Sequence, residues 1–251
     1  MTTVKNREQI VSMRESGAML GHTLKVLRES VKVGMTTKEL ADLAAKELNS
    51  LGGKPAFLGY QGFPDVLCVS LNNEVVHGIP SKNKIIRSGD ILSMDFGVIY
   101  NGMITDGAIS TIVGKPLQKK HQQLVDATEE SLVAGITTVH SGVRTGDIGA
   151  AVQAVLDSYR LGIVRDLVGH GVGHELHEDP NVPNYGRKGT GTQLQAGMTI
   201  AIEPMATLGG HRVFISDDGW TILTADGSLA AHFEHTVLIT TEGAEVLTLT
   251  D

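Results

Sequence analysis

One cysteine, Cys68, stands alone in 251 residues. That excludes an internal disulfide and fits a reducing compartment. No apolar run approaches the roughly 18 residues that a membrane span needs. Positive charge is not in excess either: the formal net charge of -7 argues against a nucleic-acid surface as the main function. The opening stretch MTTVKNREQIVSMRESGAML is charged and amphipathic, unlike the apolar core of a signal segment. Aromatic residues make up only 4% of the chain while glycine occurs 30 times, which implies many turns rather than disorder. The expectation is a soluble cytoplasmic globular protein. With 41% hydrophobic and 20% charged residues, this length can bury a large core, as one domain or two small ones.

What the chain does have centres on ILSMDFGVIYNGMITDGAIST (91–111). Two β-runs, Ile91–Tyr100 and Met103–Val113, flank Asn101-Gly102, the strongest short hairpin signal. A two-residue loop there sets Asp95 opposite Ala108 and Asp106 opposite Gly97. Both aspartates then share one face, Cβ atoms roughly 7 Å apart, and Gly97 leaves open space beside them. Most aspartates face solvent or cap turns; two converging inside an apolar hairpin call for something positive between them.

The rest of the chain reads as two similar passes. Arg7–Ser30 has helical apolar spacing through Ile10, Met13, Leu20, Leu24 and Leu27, and a second helix is capped at Thr36 or Thr37. Residues 55–80 look like strand and loop, and a helix from about Gln118 to Thr138 restarts the pattern. VKVGMTTKELADLAAKELNS (31–50) aligns without a gap on VHSGVRTGDIGAAVQAVLDS (139–158). The alignment predicts a single domain, 1–251, of duplicated halves, about 1–115 and 116–251. Its class is α+β, with helices outside and antiparallel strands inside, and a ligand crevice between the halves.

Candidate donors cluster in the second half. His170, His174 and His177 fall at i, i+4 and i+7, a zinc-like spacing on a helix, but Gly169, Gly171 and Gly173 favour an extended turn instead. His174 reads as a surface residue. Glu203 follows the apolar stretch TIAI (199–202) and precedes Pro204. Glu234 lies inside 230–240, read as the last strand, where an unpaired charge is costly. Solvated strand edges are the plain alternative for both. Asp95, Asp106, His170, Glu203 and Glu234 together form an oxygen-rich set suited to two divalent cations, whose charge four carboxylates would balance.

EVVHGIP (74–80), the MDF…TDGA hairpin, GHGVGHELHEDP (169–180), IEPM (202–205) and FEHTV (233–237) resemble type I methionine aminopeptidases of the pita-bread fold, in order, over essentially the whole chain. The resemblance implies removal of the initiator methionine from nascent proteins whose second residue is small, by a hydroxide held between two metal ions. Asp95 would hold one metal, His170 and Glu203 the other, with Asp106 and Glu234 bridging. Glu203 would also move the proton, His177 would contact the scissile carbonyl and His77 the amide. Phe57, Tyr60, Phe63, Cys68, Leu176 and Trp220 would line the methionine pocket, where a thioether suits soft, aromatic surroundings. The metal is one of Co, Mn, Fe or Zn. The family also implies a monomer near the ribosome, with no nucleic-acid specificity and no membrane; Lys115, Lys119, Lys120 and His121 read as a solvated face. Thr2 is small, so Met1 itself is an expected substrate. Four positions depart from the family pattern: Phe57 for a smaller Cys, Leu176 for Phe, His174 for Arg and His232 for Gln.

Overall fold

Two helices, α1 (Arg7–Ser30) and α2 (Thr37–Leu51), lead the chain. The computed structural model describes residues 4–249, so Met1 and Thr2, the expected self-substrate, lie outside the described residues. Each helix starts on a reciprocal cap. Asn6 and Gln9 exchange backbone-to-side-chain bonds, and so do Thr36 and Glu39. The stripe expected from sequence is the buried one: Met13, Leu20, Leu24 and Leu27 are sealed from solvent.

Short strands follow: β1 (Lys54–Pro55), β2 (Cys68–Leu71) and β3 (Glu74–Val76). The hairpin is β4 (Ile91–Tyr100) and β5 (Met103–Ile112), turning at Asn101 and Gly102, both at positive φ. Its register sets Asp95 against Ala108 and Gly97 against Asp106, as the two-residue loop requires. The space beside Gly97 is not open, however. A Cβ there would meet the Phe57 ring at 2.7 Å and Ala56 at 2.9 Å, because β1 pairs alongside β4.

In the second half come α3 (Lys119–Thr137), α4 (Thr145–Ser158), β6 (Gly162–Ile163), β7 (Gly169–Gly171), β8 (Glu178–Val182) and β9 (Thr199–Ile202). The remaining strands are β10 (Met205–Thr207), β11 (Val213–Ile215), β12 (Ile222–Thr224), β13 (Ala230–His232), β14 (Glu234–Ile239) and β15 (Ala244–Val246). Two sequence expectations are corrected here. The run 230–240 is two strands in different sheets, broken at Phe233, and β15 follows it. His121 is buried rather than part of a solvated basic face, although Lys115, Lys119 and Lys120 are exposed. No helix among the described residues is long and apolar enough to cross a membrane.

The main sheet runs β1-β4-β5-β14-β9-β7-β8, with β2 on β4 and β15 on β14; every pairing is antiparallel. Helix α1 packs on β4 and β5, while α3 packs on α4 and β13. The two passes also match in detail at one constant offset. Gly34 and Gly142 both turn at positive φ, and the next-but-one residues bridge to Ile85 and Gln193. Gly89 and Gly197 also share positive φ. Continued, the same offset brings Asp95 onto Glu203.

Candidate active site

Sheet register puts the donors on one face. Cys68, Asp95, Ala108 and Glu234 pair in a row across β2, β4, β5 and β14. Asp106 lies two residues from Ala108 and so points the same way. Thr236 fixes the seam between β5 and β14: its hydroxyl accepts from Asp106 N at 2.9 Å and donates to Asp106 O at 2.7 Å. Glu203 stands where β9 stops, because Pro204 has no N–H to continue the ladder. Asn184 Nδ2 donates to Glu203 O at 2.9 Å and holds that bend.

His170 arrives on β7 between two glycines. A Cβ on Gly169 would strike Ala201 O, and one on Gly171 would strike Asp179 O. The glycine–histidine alternation is thus a packing requirement of the strand, and it replaces the helical three-histidine reading. His170 Nδ1 bonds Gly171 O at 2.9 Å, which leaves Nε2 toward Glu203 Oε1 at 3.6 Å. That is the arrangement of a ligating imidazole whose far nitrogen is anchored.

Each candidate named from sequence lines one cavity: Phe57, Tyr60, Phe63, Cys68, His77, Asp95, Asp106, His170, Leu176, His177, Glu203, Trp220 and Glu234. His177 Nδ1 bonds the Tyr60 hydroxyl at 2.8 Å, and its ring lies 4.2 Å from that of His170. His77, at φ 59 just past β3, sits edge-on to Trp220, which in turn meets Phe63 at 5.2 Å. His174 is exposed and belongs to another arrangement. Gln9 Nε2 lies 2.8 Å from its ring, and its backbone N–H donates to Glu178.

The electrostatics follow from burial and crowding. Burial, then the neighbouring carboxylates, pushes Asp95 and Glu234 well above the usual range. Glu203 rises for the same reasons, and burial lifts Asp106 to about 7. Burial lowers His170 to about 3 and His77 to about 4, so both rings are neutral donors at pH 7. Burial beside Asp95 also raises Cys68, which keeps its thiol protonated.

A cation fits this arrangement. Asp95 Oδ1 and Glu234 Oε1 are buried without a hydrogen-bond partner, an expensive state for carboxylates. Two donor groups, Asp106 with His170 and Glu234, and Glu203 with His232 and Glu234, each bring three ligand atoms within 4.8 Å of one another. Hard oxygens plus imidazole suit first-row divalent ions.

Two features escaped the sequence reading. His232 stood out only as a departure from a family pattern, yet it is 1% exposed against both glutamates. Lys5 reaches across the molecule to Glu178 at 2.6 Å in a nearly sealed ion pair, fastening the segment that carries Leu176 and His177. Only the acid directly after His177 hinted at such a tether.

The model of metallopeptidase family M24 matches residues 11–241. A methionine aminopeptidase of Clostridium perfringens is 45% identical over 249 residues, covering 99% of both chains. Methionine aminopeptidase 1 of Bacillus subtilis is 40% identical, again over 99% of each. The crystal structure of the methionine aminopeptidase of Thermotoga maritima superposes with a TM-score of 0.97 at 44% identity, over 99% of this chain and 100% of that one. A prolidase from Pyrococcus furiosus, at 24% identity and a TM-score of 0.79, shares the fold.

Proposed function

Since the chain belongs to metallopeptidase family M24 and to its methionine aminopeptidase branch, with the pita-bread fold, we propose that it removes N-terminal methionine from nascent polypeptides whose second residue is small. The observation that carries this reading is the convergence of Asp95, Asp106, His170, Glu203 and Glu234 at one end of an apolar cavity. Two divalent ions, drawn from Co, Mn, Fe or Zn, are the proposed occupants. Asp95 would hold one, His170 and Glu203 would hold the other, and Asp106 and Glu234 would serve both. When bound, such ions polarise a carbonyl and make water nucleophilic at neutral pH.

The chain's own groups do the rest. Glu203 accepts the proton of the attacking water on a carboxylate oxygen and passes it to the leaving amine. His177, oriented by Tyr60, hydrogen-bonds the scissile carbonyl oxygen, and His77 the amide. Phe57, Tyr60, Phe63, Cys68, Leu176 and Trp220 enclose the thioether and exclude water. The duplicated halves, 1–115 and 116–251, act as one catalytic domain, because donors from both meet in the cavity. The reading extends to a cytoplasmic monomer, as the family resemblance implies.

After reconstitution with Mn or Co, Met-Ala-Ser is expected to turn over at least about tenfold faster than Met-Leu-Ser. Ala-Pro-Ala should not be cleaved. Equal rates on the two methionyl peptides, or preference for Ala-Pro-Ala, would sink the assignment. Gly97→Ala provides a finer check on the pocket. Its Cβ would press on the edge of the Phe57 ring, so KM for Met-Ala-Ser should rise about tenfold (~1.4 kcal/mol) while kcat changes little. An unchanged KM would remove Phe57 from the pocket.

A further inference from the structure

His232 is held with unusual firmness for a residue outside the cavity lining. Ser110 Oγ accepts from His232 N at 2.9 Å and donates to His232 O at 2.8 Å, and Ser110 Oγ also lies 2.7 Å from Ser93 Oγ. Strand β13 pairs with β10, setting His232 against Met205, so the residue sits at the crossing where both chains leave the main sheet. Its backbone therefore cannot slide. The ring itself has no protein hydrogen bond at either nitrogen. What faces it is a pair of acids: Nε2 lies 3.7 Å from Glu203 Oε2 and 3.8 Å from Glu234 Oε2.

These two lengths are too long for finished hydrogen bonds. They are nearly equal, however, and they span donors drawn from two strands. A lone pair at Nε2 would repel both carboxylates, so the ring proton belongs on that nitrogen, leaving Nδ1 as a bare acceptor. A buried bare acceptor is better tolerated than a buried unmatched N–H. Both acids line the cavity and His232 does not.

We propose that His232 is a positioning residue, whose Nε2–H steadies the inner oxygens of Glu203 and Glu234 so that their outer oxygens are aimed at the cations. The inference rests on the cation-binding reading above. An outer partner of this kind typically governs metal affinity by about 10–100-fold. Glutamine can offer a comparable N–H, whereas leucine fills similar space without one.

The test uses the full-length protein stripped of metal and titrated with Co(II) by calorimetry, alongside a count of coordinated imidazole nitrogens in the Mn(II)-loaded form by pulsed electron paramagnetic resonance. Wild type is expected to bind Co(II) and to show one coordinated imidazole, that of His170. His232→Leu should bind Co(II) about 10–100-fold more weakly, and His232→Gln should recover to within about threefold of wild type. Two coordinated imidazoles in wild type would make His232 a ligand and overturn the proposal, and so would wild-type affinity in His232→Leu. Should His232→Leu fail to fold, the nitrogen count and the His232→Gln affinity decide. No Co(II) binding by wild type would instead overturn the cation site itself.

Discussion

Glu203→Ala is expected to lower kcat/KM on a Met-Ala peptide by about 1000-fold or more, even at saturating metal, because it removes a cation donor and a placed proton acceptor together. The backbone there should hold, since Asn184 bonds the Glu203 carbonyl rather than its side chain. Glu203→Gln separates the two losses. Its amide oxygen still reaches the cation, though more weakly, but it cannot take up a proton at neutral pH. Cobalt affinity of Glu203→Gln should therefore lie between wild type and alanine, while its kcat stays near that of alanine. A rate within tenfold of wild type in Glu203→Ala would leave Glu203 with neither role, and the same rate in Glu203→Gln would remove the proton role alone.

The crowded acids should withdraw stability from the metal-free protein as pH rises, the reverse of the usual carboxylate behaviour. His170, His77 and His232, buried as neutral rings, add stability as pH climbs toward the ordinary imidazole value. Asp106 is raised from 3.8 to about 7, and Asp95, Glu203 and Glu234 are raised as well. The folded chain thus keeps protons that the unfolded chain has released. Stability present below the ordinary carboxylate pKa is lost progressively as pH climbs through about 7. A divalent cation removes this penalty by replacing the protons. At about 1000 times its Kd, one ion stabilises by about 4 kcal/mol. For a chain of this size that amounts to roughly 8–16 °C in Tm. Thermal melts at pH 5 and pH 7.5, with and without Mn or Co, should show a larger metal-induced rise at the higher pH. Between pH 5 and pH 7.5 the metal-free Tm of Glu234→Gln should change more favourably than that of wild type, because one raised acid is gone. The same change in both proteins would contradict the crowding of these acids.

Much of this was legible in the chain because the signals are local. Asn101-Gly102 fixes the hairpin loop, the loop fixes the register, and the register places Asp95 and Asp106 on one face. The capping residue Thr36 likewise sets a helix start. The apolar run through Glu234 hid its break, because Ala230–His232 and Glu234–Ile239 are both good strands and only tertiary pairing sends them to different sheets. The Lys5–Glu178 tether and the approach of His232 to both glutamates are contacts between distant segments, and no local pattern encodes them. Phe57 filled the space beside Gly97 for the same reason: β1 reaches β4 from far along the chain.

Anomalous diffraction from crystals of the cobalt-loaded protein, collected at the cobalt edge, tests the central claim most directly. The account predicts two peaks about 3.5–4 Å apart, flanked by Asp106 and Glu234, with Asp95 beside one and His170 beside the other. A cavity without peaks at saturating cobalt, or peaks bound elsewhere on the surface, would contradict it.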